Sequence, residues 1–249
     1  MHISAPFDSG NIHVVDASDP SNIQLEIVRD VAAEHRQWFY FRVTGAKGVP
    51  LRMRVVNAKA CSYPDAWEDY AAAYSTDREE WLREPNTRFH GGALEIEHTP
   101  TADAVWFAYF APYTLDRHDA LLANCQQSSL VTLERLGATV DGLDLDMLRV
   151  GEPGPGKRNI WVIARQHPGE SMAEWFVEGM LERLLDPADG QARRLLAGAV
   201  LYVVPNMNPD GSRRGHLRTN AAGANLNREW HEPTLEKSPE VLLVRQKMD

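Results

Sequence analysis

Hydrophobic residues in the first part of the chain recur at every second position. Ile23-Gln24-Leu25-Glu26-Ile27 and Leu51-Arg52-Met53-Arg54-Val55 alternate cleanly, and residues 38–43 less so. Residues 93–97 and 104–110 complete the set. Gly45, Gly48-Val49-Pro50, Gly91-Gly92 and Pro100 punctuate the runs. Period-two alternation marks a strand with one buried face. Several short strands separated by turns predict an antiparallel β-sandwich over residues 1–113.

The pattern changes after Pro112-Tyr113-Thr114. Residues 116–136 have helical composition, with Leu121, Leu122, Leu130, Leu133 and Leu136 as a partial apolar stripe. Thr114 or Asp116 is the expected cap and Gly137 the expected stop. Residues 143–150 are strand-like, and Pro153-Gly154-Pro155-Gly156 is a loop. The unbroken apolar run over 160–164 predicts a strand over 160–165 buried on both faces. Helices are expected over 172–185 and 191–197, then a second buried strand over 199–204 that Pro205 ends. Strand, helix, strand is the pattern of an α/β parallel sheet, and it sets a second domain at 114–249. Residues 206–239 show no regular element, and a helix begins at Pro239. So long an irregular segment in a compact domain points to function. The expected fold class is α/β: an N-terminal antiparallel sandwich, then an α/β/α domain on a mixed sheet.

Composition narrows the partners. The chain has 249 residues, 43% hydrophobic and 24% charged, with a formal charge of −9. That balance argues against nucleic acid, whose phosphates need a basic surface. No apolar stretch approaches the ~20 residues that span a bilayer, and the first ten residues lack the basic and apolar regions of a signal peptide. Two cysteines, Cys61 and Cys125, fit reduced thiols in a cytoplasmic protein better than a disulfide framework.

The chemistry concentrates at His167-Pro168-Gly169-Glu170, directly after the 160–165 run. Imidazole nitrogen and carboxylate oxygen are both zinc donors, and a tight turn through Pro168-Gly169 can aim them at one ion. A bare His-x-x-Glu is a weak signal, and a surface loop with Glu170 at a helix N-terminus would look the same. Two later stretches add weight: Asn206-Met207-Asn208-Pro209-Asp210-Gly211 and Asn225-Leu226-Asn227-Arg228-Glu229-Trp230. The first has turn chemistry. In the second, an arginine offers a rigid fork that matches a carboxylate.

His167-Pro168-Gly169-Glu170, Asn208-Pro209-Asp210-Gly211, Arg218 and Asn227-Arg228 with Trp230 together resemble the M14 zinc carboxypeptidases. The nearest branch is the cytosolic carboxypeptidases, the Nna-like group, in which a β-sandwich precedes the catalytic domain. The resemblance implies zinc (Zn2+) held by His167 and Glu170. It implies Arg218 as the catalytic donor to the oxyanion, and Asn227 and Arg228 as the binders of the substrate's terminal carboxylate. The implied substrate is a peptide or protein C-terminus. The family also has a third ligand histidine and a glutamate base on later segments. After Trp230 only His231-Glu232, Glu236 and Glu240 follow, so a C-terminally truncated member is expected. His216 and His231 are weak candidates for the third ligand. Two other readings stand beside this one: an amidohydrolase of the aspartoacylase and succinylglutamate desuccinylase type, and a non-catalytic binding protein with a degenerate site.

Overall fold

The computed structural model describes residues 1–249. It divides into two compact units: Met1–Pro112 with Arg213–Arg218, and Tyr113–Ser212 with Thr219–Asp249.

Ten strands build the first unit: β1 (His2–Ser4), β2 (His13–Asp16), β3 (Ile23–Glu26), β4 (Tyr40–Thr44), β5 (Leu51–Val55), β6 (Ala73–Ser75), β7 (Leu82–Arg83), β8 (Thr87–His90), β9 (Ala93–His98) and β10 (Ala104–Ala108). They form two five-stranded sheets, ordered β1-β4-β10-β6-β7 and β2-β3-β5-β9-β8. The first sheet is antiparallel throughout. In the second, β3 and β5 run parallel, with Ile23 opposite Met53. Alternate residues of both sheets fill one core: Ile23, Leu25, Met53, Val55 and Ile96 from one, Phe41, Val43 and Phe107 from the other. The segment Arg213–Arg218 is anchored here. Ser9 N–H bonds the Arg213 carbonyl at 2.9 Å, Asn11 Nδ2 donates to the Gly215 carbonyl at 2.8 Å, and Leu217 joins the core. Gly215 has φ +68° and lies so close to the chain that a Cβ there would sit 2.8 Å from the Ser9 carbonyl oxygen.

The second unit contains α1 (Leu115–Cys125), β11 (Val131–Ala138), β12 (Asp144–Val150), β13 (Arg158–Ile163), α2 (Met172–Leu185), α3 (Gly190–Gly198), β14 (Ala199–Val204), α4 (Pro209–Arg214, which runs on into the inserted segment) and α5 (Pro239–Met248). Its sheet has the order β11-β12-β14-β13. Only β13 and β14 are parallel, from Arg158 opposite Ala199 to Ile163 opposite Val204. Strand alternation splits the apolar residues between two faces. Leu148, Val150, Leu201 and Val203 pack with α1, α2 and α3. Leu145, Met147 and Val204 pack with Val241 and Val244 of α5 and with Leu226. Helices thus cover both faces of a mixed sheet.

Three expectations are corrected. The helix expected over 116–136 ends at Cys125, and Leu133 and Leu136 belong to β11. Gln126-Gln127-Ser128-Ser129 breaks it, and pairing with β12 from Val131 opposite Val150 satisfies the backbone that follows. Gly137 is no helix stop: it lies in β11, where a Cβ would come within 2.6 Å of Leu243 Cδ1. The 160–165 run is not buried on both faces, because β13 is an edge strand paired to β14 alone and Ile163 is 38% exposed. Apolar composition fixes a strand but not its place in the sheet. Finally, Asn208-Pro209-Asp210-Gly211 opens α4 rather than forming an isolated turn. Asn208 Oδ1 accepts the Gly211 N–H at 3.0 Å, and Pro209 stands at the first helical position, where a missing N–H costs nothing.

Candidate functional site

The candidate metal loop leaves β13 beside the end of β14. Ala164 N–H bonds the Val204 carbonyl at 3.0 Å and Met207 N–H bonds the Ala164 carbonyl at 2.9 Å, so the chain after both parallel strands is held together. Ligands bind beyond the carboxyl ends of strands in such sheets. Residues 167–170 then form a turn closed by Glu170 N–H on the His167 carbonyl at 3.0 Å. His167, Pro168 and Gly169 are buried, while Glu170 is exposed.

The turn brings the two proposed donors together. His167 Nδ1 lies 2.9 Å from Glu170 Oε1. An imidazole nitrogen and a carboxylate oxygen are both zinc donors, and the turn sets them at the spacing of a hydrogen-bonded pair. His167 Nε2 lies 3.3 Å from Asn225 Oδ1. The same oxygen accepts the Asn227 N–H at 3.1 Å, which fixes it as an acceptor. The ring therefore has an acceptor oxygen within reach of each nitrogen, Glu170 on one side and Asn225 on the other. Asn225 does not stand out in the sequence as a site residue, although it sits in the singled-out Asn-Leu-Asn-Arg stretch and its side chain opens the 3-10 turn Leu226–Arg228.

That turn presents Asn227 and Arg228, both exposed. The Arg228 guanidinium donates to the Asn227 carbonyl at 2.8 Å. Trp230 Nε1 donates to Gln166 Oε1 at 2.5 Å, tying the residue before His167 to the end of the same stretch. Within the first unit, Arg218 donates to Tyr63 Oη at 2.8 Å, and its own backbone N–H is held by Asp30 Oδ2 at 2.7 Å. Asp30 and Tyr63 carry no local sequence signal. His216 is buried in the first unit, where Nε2 accepts the Val31 N–H at 3.2 Å, and the His231 side chain is 94% exposed. No group of three or more His, Cys, Asp or Glu side chains is placed to hold a metal ion. Both cysteines are free and buried, and no helix is long and apolar enough to cross a membrane.

A family model for the cytosolic carboxypeptidase N-terminal domain matches residues 3–110, and one for zinc carboxypeptidase matches residues 119–241. An uncharacterised protein of Zymomonas mobilis is 53% identical over the whole chain, which spans 64% of that relative. Cytosolic carboxypeptidase 4 of Mus musculus is 28% identical over 94% of this chain and 25% of its own length. A metallo-carboxypeptidase from Burkholderia cenocepacia superposes with a TM-score of 0.97 at 48% identity, covering 99% of this chain and 66% of that one. A metallo-carboxypeptidase from Pseudomonas aeruginosa, solved with (2-guanidinoethylmercapto)succinic acid, gives 0.95 at 48% identity, covering 100% of this chain and 66% of that one. This chain thus spans about two thirds of its bacterial relatives. Two family models that follow one another along the chain, over a sandwich-like first unit and a mixed-sheet second one, make the chain a member of the M14 zinc carboxypeptidases, of the branch that carries the cytosolic carboxypeptidase N-terminal domain.

Proposed function

We propose that this chain carries part of the active site of a zinc-dependent metallocarboxypeptidase that removes C-terminal residues from peptides or proteins. One observation carries the reading: His167 Nδ1 and Glu170 Oε1 converge to 2.9 Å on a closed turn, with Asn225 Oδ1 3.3 Å from the other ring nitrogen. When bound there, zinc lowers the pKa of a water to roughly 7 and polarises a carbonyl. Glu170 and His167 would hold the ion. Arg228 and Asn227 lie exposed on one short turn, where a guanidinium and an amide can pair with a terminal carboxylate. Arg218 donates to the oxyanion that develops on the scissile carbonyl, a contribution worth about 3–4 kcal/mol in comparable sites. The succinate-bearing compound bound by the Pseudomonas aeruginosa relative supports a carboxylate-binding site of this kind. The relatives' cytosolic name and the two free thiols support a cytoplasmic location.

The test is hydrolysis of peptides that differ only at the C-terminus, with the protein expressed from its complete reading frame. A free C-terminus should be trimmed, a chelator should stop the reaction, and added zinc should restore it. C-terminal amidation should abolish cleavage, and Arg228→Ala should raise KM for free peptides by at least tenfold. Faster turnover of N-acyl amino acids than of peptides would instead establish the amidohydrolase reading. A folded protein that hydrolyses neither class would leave a binding role.

A further inference from the structure

The second unit buries a chain of charges that the proposed chemistry does not use, and it ends on the metal loop. Arg165, two positions before His167, is 2% exposed. Its Nε donates to the Pro168 carbonyl at 3.0 Å. Its Nη1 donates to the Tyr113 carbonyl at 2.5 Å and to Glu174 Oε2 at 2.7 Å. Glu174, on α2, is fully buried, and its second oxygen lies 2.6 Å from His118 Nδ1 on α1. His118 Nε2 in turn lies 3.9 Å from Asp146 Oδ2 on β12.

This is a costly arrangement. Taking a guanidinium and a carboxylate out of water costs several kcal/mol per ion, and apolar packing of equal volume would hold helix to sheet as well. Arg165 also has a left-handed backbone, φ +47°, a conformation that persists in a non-glycine residue only where its surroundings impose it. What the guanidinium does that apolar packing cannot is grip a particular carbonyl. That carbonyl belongs to Pro168, inside the turn whose two ends are His167 and Glu170. The orientation of the 168–169 peptide determines whether those two side chains converge.

We propose that Arg165, clamped by Glu174 and His118, is the positioning residue of the metal loop: its bond to the Pro168 carbonyl sets the turn that aims His167 and Glu170 at one ion. The inference rests on the metal-ligand reading of those two residues. It makes the α1–α2 pair a rigid backing for a loop that would otherwise be free to rotate. Partners behind metal ligands typically contribute roughly 10–100-fold to metal affinity, and Arg165 falls in that class although it touches neither donor.

The experiment is titration of the chain with zinc chloride against a chromophoric chelator, with thermal unfolding of the metal-free form measured in parallel. Arg165→Lys keeps the charge opposite Glu174 but cannot fork to three acceptors. It should weaken zinc binding at least tenfold. Glu174→Gln, which leaves the fork in place but loosens its clamp, should weaken it at least threefold and serves if the lysine variant does not fold. Leu181→Ala, in the apolar part of α2, should lower the unfolding temperature comparably yet bind zinc within twofold of the unaltered chain. A folded Arg165→Lys or Glu174→Gln protein with undiminished affinity would overturn the proposal, as would an equal loss in Leu181→Ala. His167→Ala separates the two levels. If it leaves zinc binding unchanged, the metal assignment fails and this inference with it. If it abolishes binding while Arg165→Lys does not weaken it, only the positioning role fails.

Discussion

The carboxylate of Asp30 holds the backbone of Arg218. Oδ2 accepts the Arg218 N–H at 2.7 Å and Oδ1 accepts the Leu217 N–H at 2.7 Å. Asp30 is buried, so nothing else satisfies those two donors at equal cost. Asp30→Ala should lower the stability of the first unit by about 2 kcal/mol, the usual consequence of leaving buried N–H groups unpaired. Asp30→Asn should also destabilise, because its amide can face only one of the two N–H groups with an oxygen. Urea unfolding followed by tryptophan fluorescence reads both, and an unshifted midpoint in Asp30→Ala would refute the role.

Gly211 has no room for a side chain. A Cβ there would lie 2.4 Å from Pro168 Cγ and 2.5 Å from the Thr219 carbonyl oxygen. The second contact is backbone and cannot swing away. Gly211→Ala should therefore cost about 3 kcal/mol, at the upper end for overpacking, and should loosen the turn that contains Pro168. The checks are thermal unfolding and hydrogen exchange at the Glu170 amide, with faster exchange expected.

Two buried groups make stability depend on pH. Burial pulls the pKa of His118 down, but the carboxylates of Asp146 and Glu174 outweigh it and hold the imidazole up at about 9, above its ordinary 6.5. Its stabilisation is complete below pH 6.5 and is lost as pH rises through 9. Burial, with the negative charges of Asp210 and Asp141 added, pushes Glu240 up to about 7 from an ordinary 4.5. Between those values the folded chain keeps a proton that the unfolded chain releases, so stability falls as pH rises through that window. Relative to the unaltered chain, His118→Gln should flatten the decline above pH 6.5, and Glu240→Gln the decline below pH 7. Thermal midpoints from pH 4.5 to 9.5 measure both, and profiles parallel to the unaltered chain would contradict the assignments.

The thiols should be silent in the folded protein. Burial pushes Cys61 up to about 12 and Cys125 up to about 11, so almost no thiolate forms at pH 8. Ellman's reagent should titrate neither until denaturant is added, after which both react. Fast labelling of either thiol in native buffer would show that its surroundings open.

Much of this was legible in order along the chain. Leu51–Val55 and Met172–Leu185 have the bounds that their alternation and helical composition imply, because each residue's burial there follows from local periodicity. The His167–Glu170 turn was equally legible, since proline and glycine specify it within four residues. Where local pattern was ambiguous, pairing decided. Leu130, Leu133 and Leu136 fit a helical stripe, yet the last two lie in β11 because that segment pairs with β12, with Leu133 opposite Leu148 and Leu136 at the bulge between Arg135 and Gly137. An apolar run does not say whether one strand or two will flank it, and β13 has one.

By itself the sequence determined the change from alternating strands to a strand-helix-strand pattern and the turn that carries the proposed donors His167 and Glu170, because these depend on residue identity and short spacing. Only the tertiary structure decided what holds those residues in place. Asn225 beside His167 and Asp30 under Arg218 come from distant positions, and the bond of nearby Arg165 to the Pro168 carbonyl depends on a fold that local pattern does not show. A hydrogen bond is made by groups about 3 Å apart in space, and separation along the chain carries no record of it.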